Sequence, residues 1–114
     1  MSKDAIDINE ATVKAFVEKL RPKDPEIRKQ LDIGYSYDVK AFKLYEIRPV
    51  WNRPEEIQHL EFVKMRYYKS RGEWNLYWMR ANGTWELYEP FSNAKTLAKI
   101  LEIIKEDPHG CFFG

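Results

Sequence analysis

Hydrophobic positions recur at two different periods along this chain, and the change of period marks out its elements. Val13, Phe16, Val17 and Leu20 fall at helical spacing, which predicts an amphipathic helix with one apolar stripe. Asp7 and Glu10 stand three residues apart before that stripe, the form of a capping box in which each side chain satisfies a free amide at the helix start. Pro22 is expected to stop the helix. Asp24-Pro25-Glu26 predicts a second, short helix to about Gln30, with Asp24 as cap and Pro25 at the first helical position. Near the end, Leu97, Ile100, Leu101 and Ile104 form another stripe, in a helix that Ser92 or Asn93 would cap and Asp107-Pro108 would close.

Between the helices the period is two. Tyr35, Tyr37 and Val39 alternate with Ser36, Asp38 and Lys40, and a tight turn near Lys40-Ala41 leads into FKLYEIRPVW, which Pro49 is expected to end. The two prolines of residues 49–56 predict the longest loop there. Further strands are expected over 59–69, 74–80 and 84–89, with Pro90 ending the sheet. Arg71-Gly72 and Asn82-Gly83 have the form of two-residue hairpin turns, of which Asn-Gly is the stronger signal because both positions need φ > 0.

Two-residue turns would fix the register. Ser70 would face Glu73, so Tyr68, Arg66 and Lys64 would face Asn75, Tyr77 and Met79, and opposed residues share a face. Val63, Met65, Tyr67, Trp74, Leu76 and Trp78 then make one apolar surface, and the Asn82-Gly83 turn would add Trp85 and Leu87. The opposite face would carry Lys64, Arg66, Tyr68, Tyr77, Met79, Glu86 and Tyr88. If Tyr45 and Ile47 point to the core, Glu46 and Arg48 join that second face, and Phe42 and Leu44 either point outward too or are switched inward by a bulge near Leu44. The expected fold is α+β: one domain spanning residues 1–114, a five-stranded, mostly antiparallel meander, with N-terminal helices and one C-terminal helix packed on its Trp-rich face.

Charge narrows the partners. Nineteen basic and eighteen acidic side chains give a net charge of +1, so there is no global field for nucleic acid or anionic lipid, and any such affinity must come from local segregation. Between Lys64 and Arg80 that segregation exists: Lys64, Arg66, Lys69, Arg71 and Arg80 stand against Glu73 alone. The single Cys111 excludes an internal disulfide and fits a reducing compartment, and its bland role is a small apolar residue in a packed tail. His59 and His109 lie far apart without partners at ligand spacing, so no metal site and no cofactor is expected. The polar opening MSKDAIDINE and the lack of a membrane-length apolar run predict neither export nor spanning, hence a cytoplasmic protein.

Four short runs, YEIRPVW (Tyr45 to Trp51), WNLYWMRA (Trp74 to Ala81), WELYEP (Trp85 to Pro90) and EDPHGCFFG (Glu106 to Gly114), resemble the domain-of-unknown-function family numbered 3024. The resemblance covers the chain from about Leu31 to its end. The usual pattern is not kept after Trp51 or at Tyr67-Tyr68. The resemblance implies a small stand-alone bacterial protein and brings no activity with it.

The candidate site on the second face combines Glu46, Arg48, Lys64, Arg66, Tyr77 and Tyr88. Arg48 and Lys64 would hold an anion, Glu46 would orient them, and the tyrosines would stack, the combination that single-stranded nucleic acid or a nucleotide-like anion requires. The bland alternative is that this face is covered by a helix or the tail, or by a second subunit in a purely structural, self-associating domain. An enzyme is the less favoured reading: Asp38 followed by Glu46-Ile47-Arg48 loosely matches the Asp, then Glu-x-Lys pattern of metal-dependent nucleases. Arginine in the last position does not readily serve as a base, and a cross-strand ion pair of Glu46 with Lys64 accounts for the same residues. Cys111-Phe112-Phe113-Gly114 is too apolar for water, so it is expected to pack on its own domain, with docking on another protein as the alternative.

Overall fold

A computed structural model describes residues 2–38, 40–108, 110 and 112, with side chains from residue 8 onward. The element order is α1 (Ser2–Leu20), α2 (Pro25–Arg28), β1 (Asp32–Asp38), β2 (Ala41–Val50), β3 (Arg53–Tyr68), β4 (Glu73–Met79), β5 (Trp85–Leu87), β6 (Asn93–Ala94) and α3 (Leu97–Glu106). All strand pairs are antiparallel, in the order β1-β2-β3-β4-β5, with β6 also on β4. The fold is therefore the expected α+β meander.

Both apolar helical stripes pack on one sheet face. Val13 and Val17 of α1 and Leu97, Ile100, Leu101, Ile103 and Ile104 of α3 are buried with Ile33, Phe42, Leu44, Val63, Met65, Trp74 and Leu76. Each fully buried aliphatic here is worth ~1.5–3 kcal/mol relative to exposure. Asp24 caps α2 by accepting from the Glu26 amide at 2.9 Å, and Pro25 follows it. Helix α1 starts at Ser2, so Asp7 lies inside it and is no cap; its side chain lies outside the described residues. Glu10 instead accepts a hydrogen bond from the Tyr35 hydroxyl at 2.9 Å, tying α1 to β1. Helix α3 is capped by Thr96, not by Ser92 or Asn93, because those residues lead into and form β6.

The β2–β3 hairpin is longer than expected. Pro49 does not end β2; it stands opposite Ile57, and β3 begins at Arg53. The proposed loop over 49–56 is thus mostly strand, with Trp51-Asn52 as the turn and an irregularity beyond Pro49 that takes up residues 54–56. The described molecule measures 45 × 31 × 23 Å along its principal axes, the length this hairpin lends it.

Three local features decide which side chains face the helices. Tyr68 pairs with Glu73, so the β3–β4 loop has four residues and every pairing moves by two from the two-residue expectation, with Lys64 opposite Tyr77 and Val63 opposite Trp78. A shift of two keeps the faces, and Val63, Met65, Tyr67, Trp74, Leu76 and Trp78 do share the helix side. The β4–β5 connection is longer by one: Met79 pairs with Trp85, Trp78 with Glu86 and Tyr77 with Leu87. Gly83 takes φ +83°, and its N–H bonds to the Arg80 carbonyl at 2.9 Å. The Asn82 side chain accepts from both the amide and the hydroxyl of Thr84, at 3.1 and 2.7 Å. A slip of one reverses a strand's faces, so Trp85 and Leu87 point away from the helices. Tyr88 points into the core with 1 % exposure. The third feature is a bulge: Leu44 pairs with Val63 but Tyr45 with Glu61, leaving Phe62 of β3 extra. β2 alternates without a break, so Phe42 and Leu44 are inward and Tyr45 and Ile47 outward; the expected bulge does lie near Leu44, opposite the Leu44–Tyr45 step, with its extra residue on β3.

After Tyr88 a 3₁₀ turn over Glu89–Phe91 carries the chain back to β4 as β6, so Pro90 interrupts the sheet without ending it. Asp107, at φ 42°, closes α3, and its carboxylate accepts from the Phe112 amide at 3.1 Å. Phe112 is buried with its ring 5.0 Å from Tyr88, so this part of the tail packs on its own domain. Val39, His109, Cys111, Phe113 and Gly114 lie outside the described residues.

Candidate functional site

The helices leave the second sheet face open, and the observed register assigns its side chains. Asp38 of β1, Lys43 and Tyr45 of β2, His59, Glu61, Lys64, Arg66 and Tyr68 of β3, Asn75, Tyr77 and Met79 of β4, and Trp85 and Leu87 of β5 share it. Among the described residues no helix packs there.

Of the six candidate residues, Lys64, Arg66 and Tyr77 come together on this face. The other three do not join them. Glu46 stands opposite inward-facing Ile33, so it and Arg48 lie on the helix side of the hairpin, where they form an ion pair with each other at 3.0 Å instead of with Lys64. Tyr88 lies in the core because the β4–β5 turn carries one more residue than expected. Lys43, Tyr45, Tyr68 and Trp85 take their places. The first three followed from knowing on which strand the bulge sits and from counting Tyr68 in; nothing in the local sequence around Phe62 marks the bulge.

Cations and rings are interlocked. The Lys64 ammonium lies 5.3 Å from the Tyr77 ring centre, and the Arg66 and Arg71 guanidinium groups lie 4.9 and 4.4 Å from that of Tyr68. Such contacts hold a cation at an exposed site by ~0.5–1 kcal/mol. The Tyr68 and Tyr77 hydroxyls meet at 2.8 Å. Burial, and next the Tyr68 hydroxyl, push the Tyr77 phenol above its ordinary 10.0. Arg66 Nε and Asn75 Oδ1, on opposed residues, are buried without a hydrogen-bond partner among the described residues.

Beside the rings is a recess of about 270 Å³ lined by Asp38, Lys40, Ala41, Lys43, Lys64 and Arg66. Lys43 and Lys64 are directly opposed in the ladder, an arrangement of like charges that costs stability. Two carboxylates stand against the four cations and leave an excess of two: Asp38 in the lining, and Glu61, which reaches Lys43 at 3.9 Å. Next along β2 and β3 is a wider cleft of about 660 Å³, whose lining includes Ser36, Tyr45, His59, Glu61, Met79 and Arg80. Tyr45 and His59 stack there with ring centres 4.5 Å apart and planes at 13°.

The nuclease-like pattern of Asp38, Glu46 and Arg48 is not brought together. Asp38 and Glu46 lie on opposite faces, and Asp38 is opposite Ala41 at the turn while Glu46 is opposite Ile33, five residues or ~16 Å along the strand. They cannot share one metal ion. No group of three or more His, Cys, Asp or Glu capable of holding a metal occurs among the described residues. Ser36 and His59 line one cleft, but no hydrogen bond joins them as nucleophile and base, the pairing that acyl transfer needs.

The family description "Domain of unknown function (DUF3024)" matches residues 1–114, the whole chain. The chain belongs to the DUF3024 family. No curated protein and no solved structure matches it. The resemblance seen in its tryptophan-rich runs is thereby confirmed, and DUF3024 membership brings no activity with it. No helix among the described residues is long and apolar enough to cross a membrane.

Proposed function

We propose that the helix-free sheet face of this DUF3024 chain is a binding face for single-stranded nucleic acid or a nucleotide-like anion, in a single-domain protein of the bacterial cytosol. The observation that carries this reading is the recess in which Lys43 stands directly opposite Lys64, with Lys40 and Arg66 beside them. A sheet gains nothing from opposed ammonium groups, whereas a phosphate between them would turn repulsion into attraction. Lys64 and Arg66 lean on tyrosine rings instead of carboxylates, which keeps both charges available to a ligand. The stacked Tyr45–His59 pair and the outward Trp85 add flat surface on which a base can lie, worth ~1–3 kcal/mol per stacked base.

Titration of intrinsic tryptophan fluorescence with single-stranded DNA at two salt concentrations tests this. Three neutralised phosphates would give a slope of log K against log salt of roughly −2, and Lys64→Ala should reduce it by about 0.7. Absence of salt-dependent binding would remove the proposal.

Self-association is the second reading, favoured by the end of the β2–β3 hairpin, where Trp51 is 90 % and Ile57 58 % exposed. Light scattering of the chain and of Trp51→Ala separates it from the first: a mass that halves in the variant would support it, and a monomeric chain would end it.

A further inference from the structure

The recess and the cleft share the strands that build them. On β2, Lys43 lines the recess and Tyr45 the cleft; on β3, Lys64 lines the recess and Glu61 the cleft. Lys43 and Tyr45 are two residues apart on one face, ~7 Å along the strand. That separation is comparable with the distance from a nucleotide's phosphorus to the middle of its own base.

Resting on the reading above, we propose that recess and cleft are one subsite for the phosphorylated end of a single strand, the terminal phosphate in the recess and its nucleoside in the cleft against His59.

Charge is the first reason. A terminal phosphate monoester carries ≈ −1.5 to −2 at neutral pH, while an internal diester carries one charge. Four cations stand against two carboxylates, Asp38 in the lining and Glu61 on Lys43, and the excess of two is matched to the doubly charged end. Shape is the second. Lys40 and Ala41 of the β1–β2 turn form part of the recess wall; β1 and β2 end there while β3 continues to Tyr68, so along β2 the face extends from Lys43 only toward Tyr45. A strand entering from the cleft would end in the recess, and its terminal phosphate would have three unesterified oxygens for the lysines and Arg66. Arg66 Nε, buried and without a hydrogen-bond partner among the described residues, belongs to the same side chain that lines this wall.

The third reason is the placing of Glu61. It lies between the two cavities, 3.9 Å from Lys43, and lines the cleft. A carboxylate there repels a second phosphate but accepts hydrogen bonds from sugar hydroxyls or a base amino group. The order cation pair, carboxylate, stacked rings along β2 and β3 thus follows the order phosphate, sugar, base in one nucleotide. Gly34 completes the cleft: opposite Tyr45, it has no side chain, and a Cβ there would lie 2.8 Å from the Tyr45 ring. Its absence lets that ring lie down over the sheet and meet His59.

The test uses three fluorescently labelled single-stranded DNAs of one sequence, bearing a 5′ phosphate, a 3′ phosphate or no terminal phosphate, titrated against the full chain by anisotropy. One phosphorylated form should bind roughly tenfold more tightly than the unphosphorylated one, the gain of one further charge-assisted contact, and Lys43→Ala should abolish the difference. Lys64→Met serves as the second variant should Lys43→Ala fail to fold. Equal, salt-dependent binding of all three DNAs would overturn the end-specific subsite while leaving the binding face in place. A preference that survives in a folded Lys43→Ala or Lys64→Met protein would also overturn it. If none of the three binds, both the subsite and the face reading fall.

Discussion

The hydroxyls of Tyr68 and Tyr77 meet at 2.8 Å although the two residues are not opposed: Tyr68 pairs with Glu73, and Tyr77 with Lys64. The contact therefore spans the intervening Arg66–Asn75 pair, whose Nε and Oδ1 atoms are buried. Tyr68→Phe removes one hydroxyl and should cost about 0.5–1.5 kcal/mol in urea unfolding. It should also move Tyr77. In the folded protein burial, and then this hydrogen bond, hold that phenol above 10.0, so its contribution to stability is full below the unfolded value and is lost as pH rises through the folded one. Tyrosinate absorbance in alkaline titration should show the Tyr77 phenol ionising at lower pH in Tyr68→Phe. An unchanged titration would mean that the hydroxyls do not interact in solution.

The inward surface was legible because its errors came in twos. Reading Arg71-Gly72 as a two-residue turn misplaces every β3–β4 partner by two positions, which leaves Trp74, Leu76 and Trp78 on the helix side as expected. Asn82-Gly83 differs by a single residue, since Gly83 adopts its positive φ at the end of a longer turn that the Asn82 side chain braces. One residue reverses the faces, and so Tyr88 moved inward and Trp85 outward. Glu46 and Arg48 follow Phe42 and Leu44 to the helix side because β2 alternates without a break against β1, and the extra residue that keeps β3 in step is Phe62. That bulge depends on fitting Phe42 and Leu44 against a core assembled from distant segments, information that no local pattern holds. Lys64, Arg66 and Tyr77 were found because they lie between those two irregularities.

Gly34 and Tyr45 make a second pair whose coupling can be measured. A Cβ at position 34 would meet the Tyr45 ring at 2.8 Å, so Gly34→Ala must tilt the ring off His59 and forfeit a stack worth ~0.5–1.5 kcal/mol. In a Tyr45→Ala background the obstruction is gone. There Gly34→Ala should stabilise, by ~0.4–1 kcal/mol, through reduced freedom of the unfolded chain. The expected outcome of the double-mutant cycle is thus a change of sign, with about 1 kcal/mol or more of coupling. Additive effects would show that the ring does not rest on Gly34.

Acid sensitivity should trace to the junction of α1 and β1. Arg21 donates to both Asp32 carboxylate oxygens, at 2.8 and 2.9 Å, and the Ile33 amide donates at 2.8 Å. The Arg21 hydrogen bonds, against the opposing effect of burial, hold Asp32 below its ordinary 3.8. The unfolded chain then takes up this proton first as pH falls. The stabilisation is complete above the ordinary value and is lost as pH drops from there through the folded value. Asp32→Asn should cost about 1–3 kcal/mol at pH 7, and the gap between variant and parent should narrow below pH ~4. A gap that stays constant from pH 7 to pH 2 would rule the pair out as a source of acid unfolding.

Two aromatic residues, one buried and one exposed, should respond very differently to truncation. Phe112 is 6 % exposed, packs its ring 5.0 Å from Tyr88, and is held in place by the hydrogen bond its amide donates to the Asp107 carboxylate. Removing its ring leaves a cavity between the tail and the sheet, so Phe112→Ala should lower stability by about 3 kcal/mol. Trp51, at the hairpin turn, is 90 % exposed, and Trp51→Ala should change stability by less than about 0.5 kcal/mol. Urea unfolding of the two variants checks both values, and loss of the most iodide-quenchable tryptophan emission in Trp51→Ala checks the exposure independently. A Trp51→Ala loss as large as that of Phe112→Ala would mean that the hairpin end is covered in solution, and with it the monomeric state of the protein would be excluded.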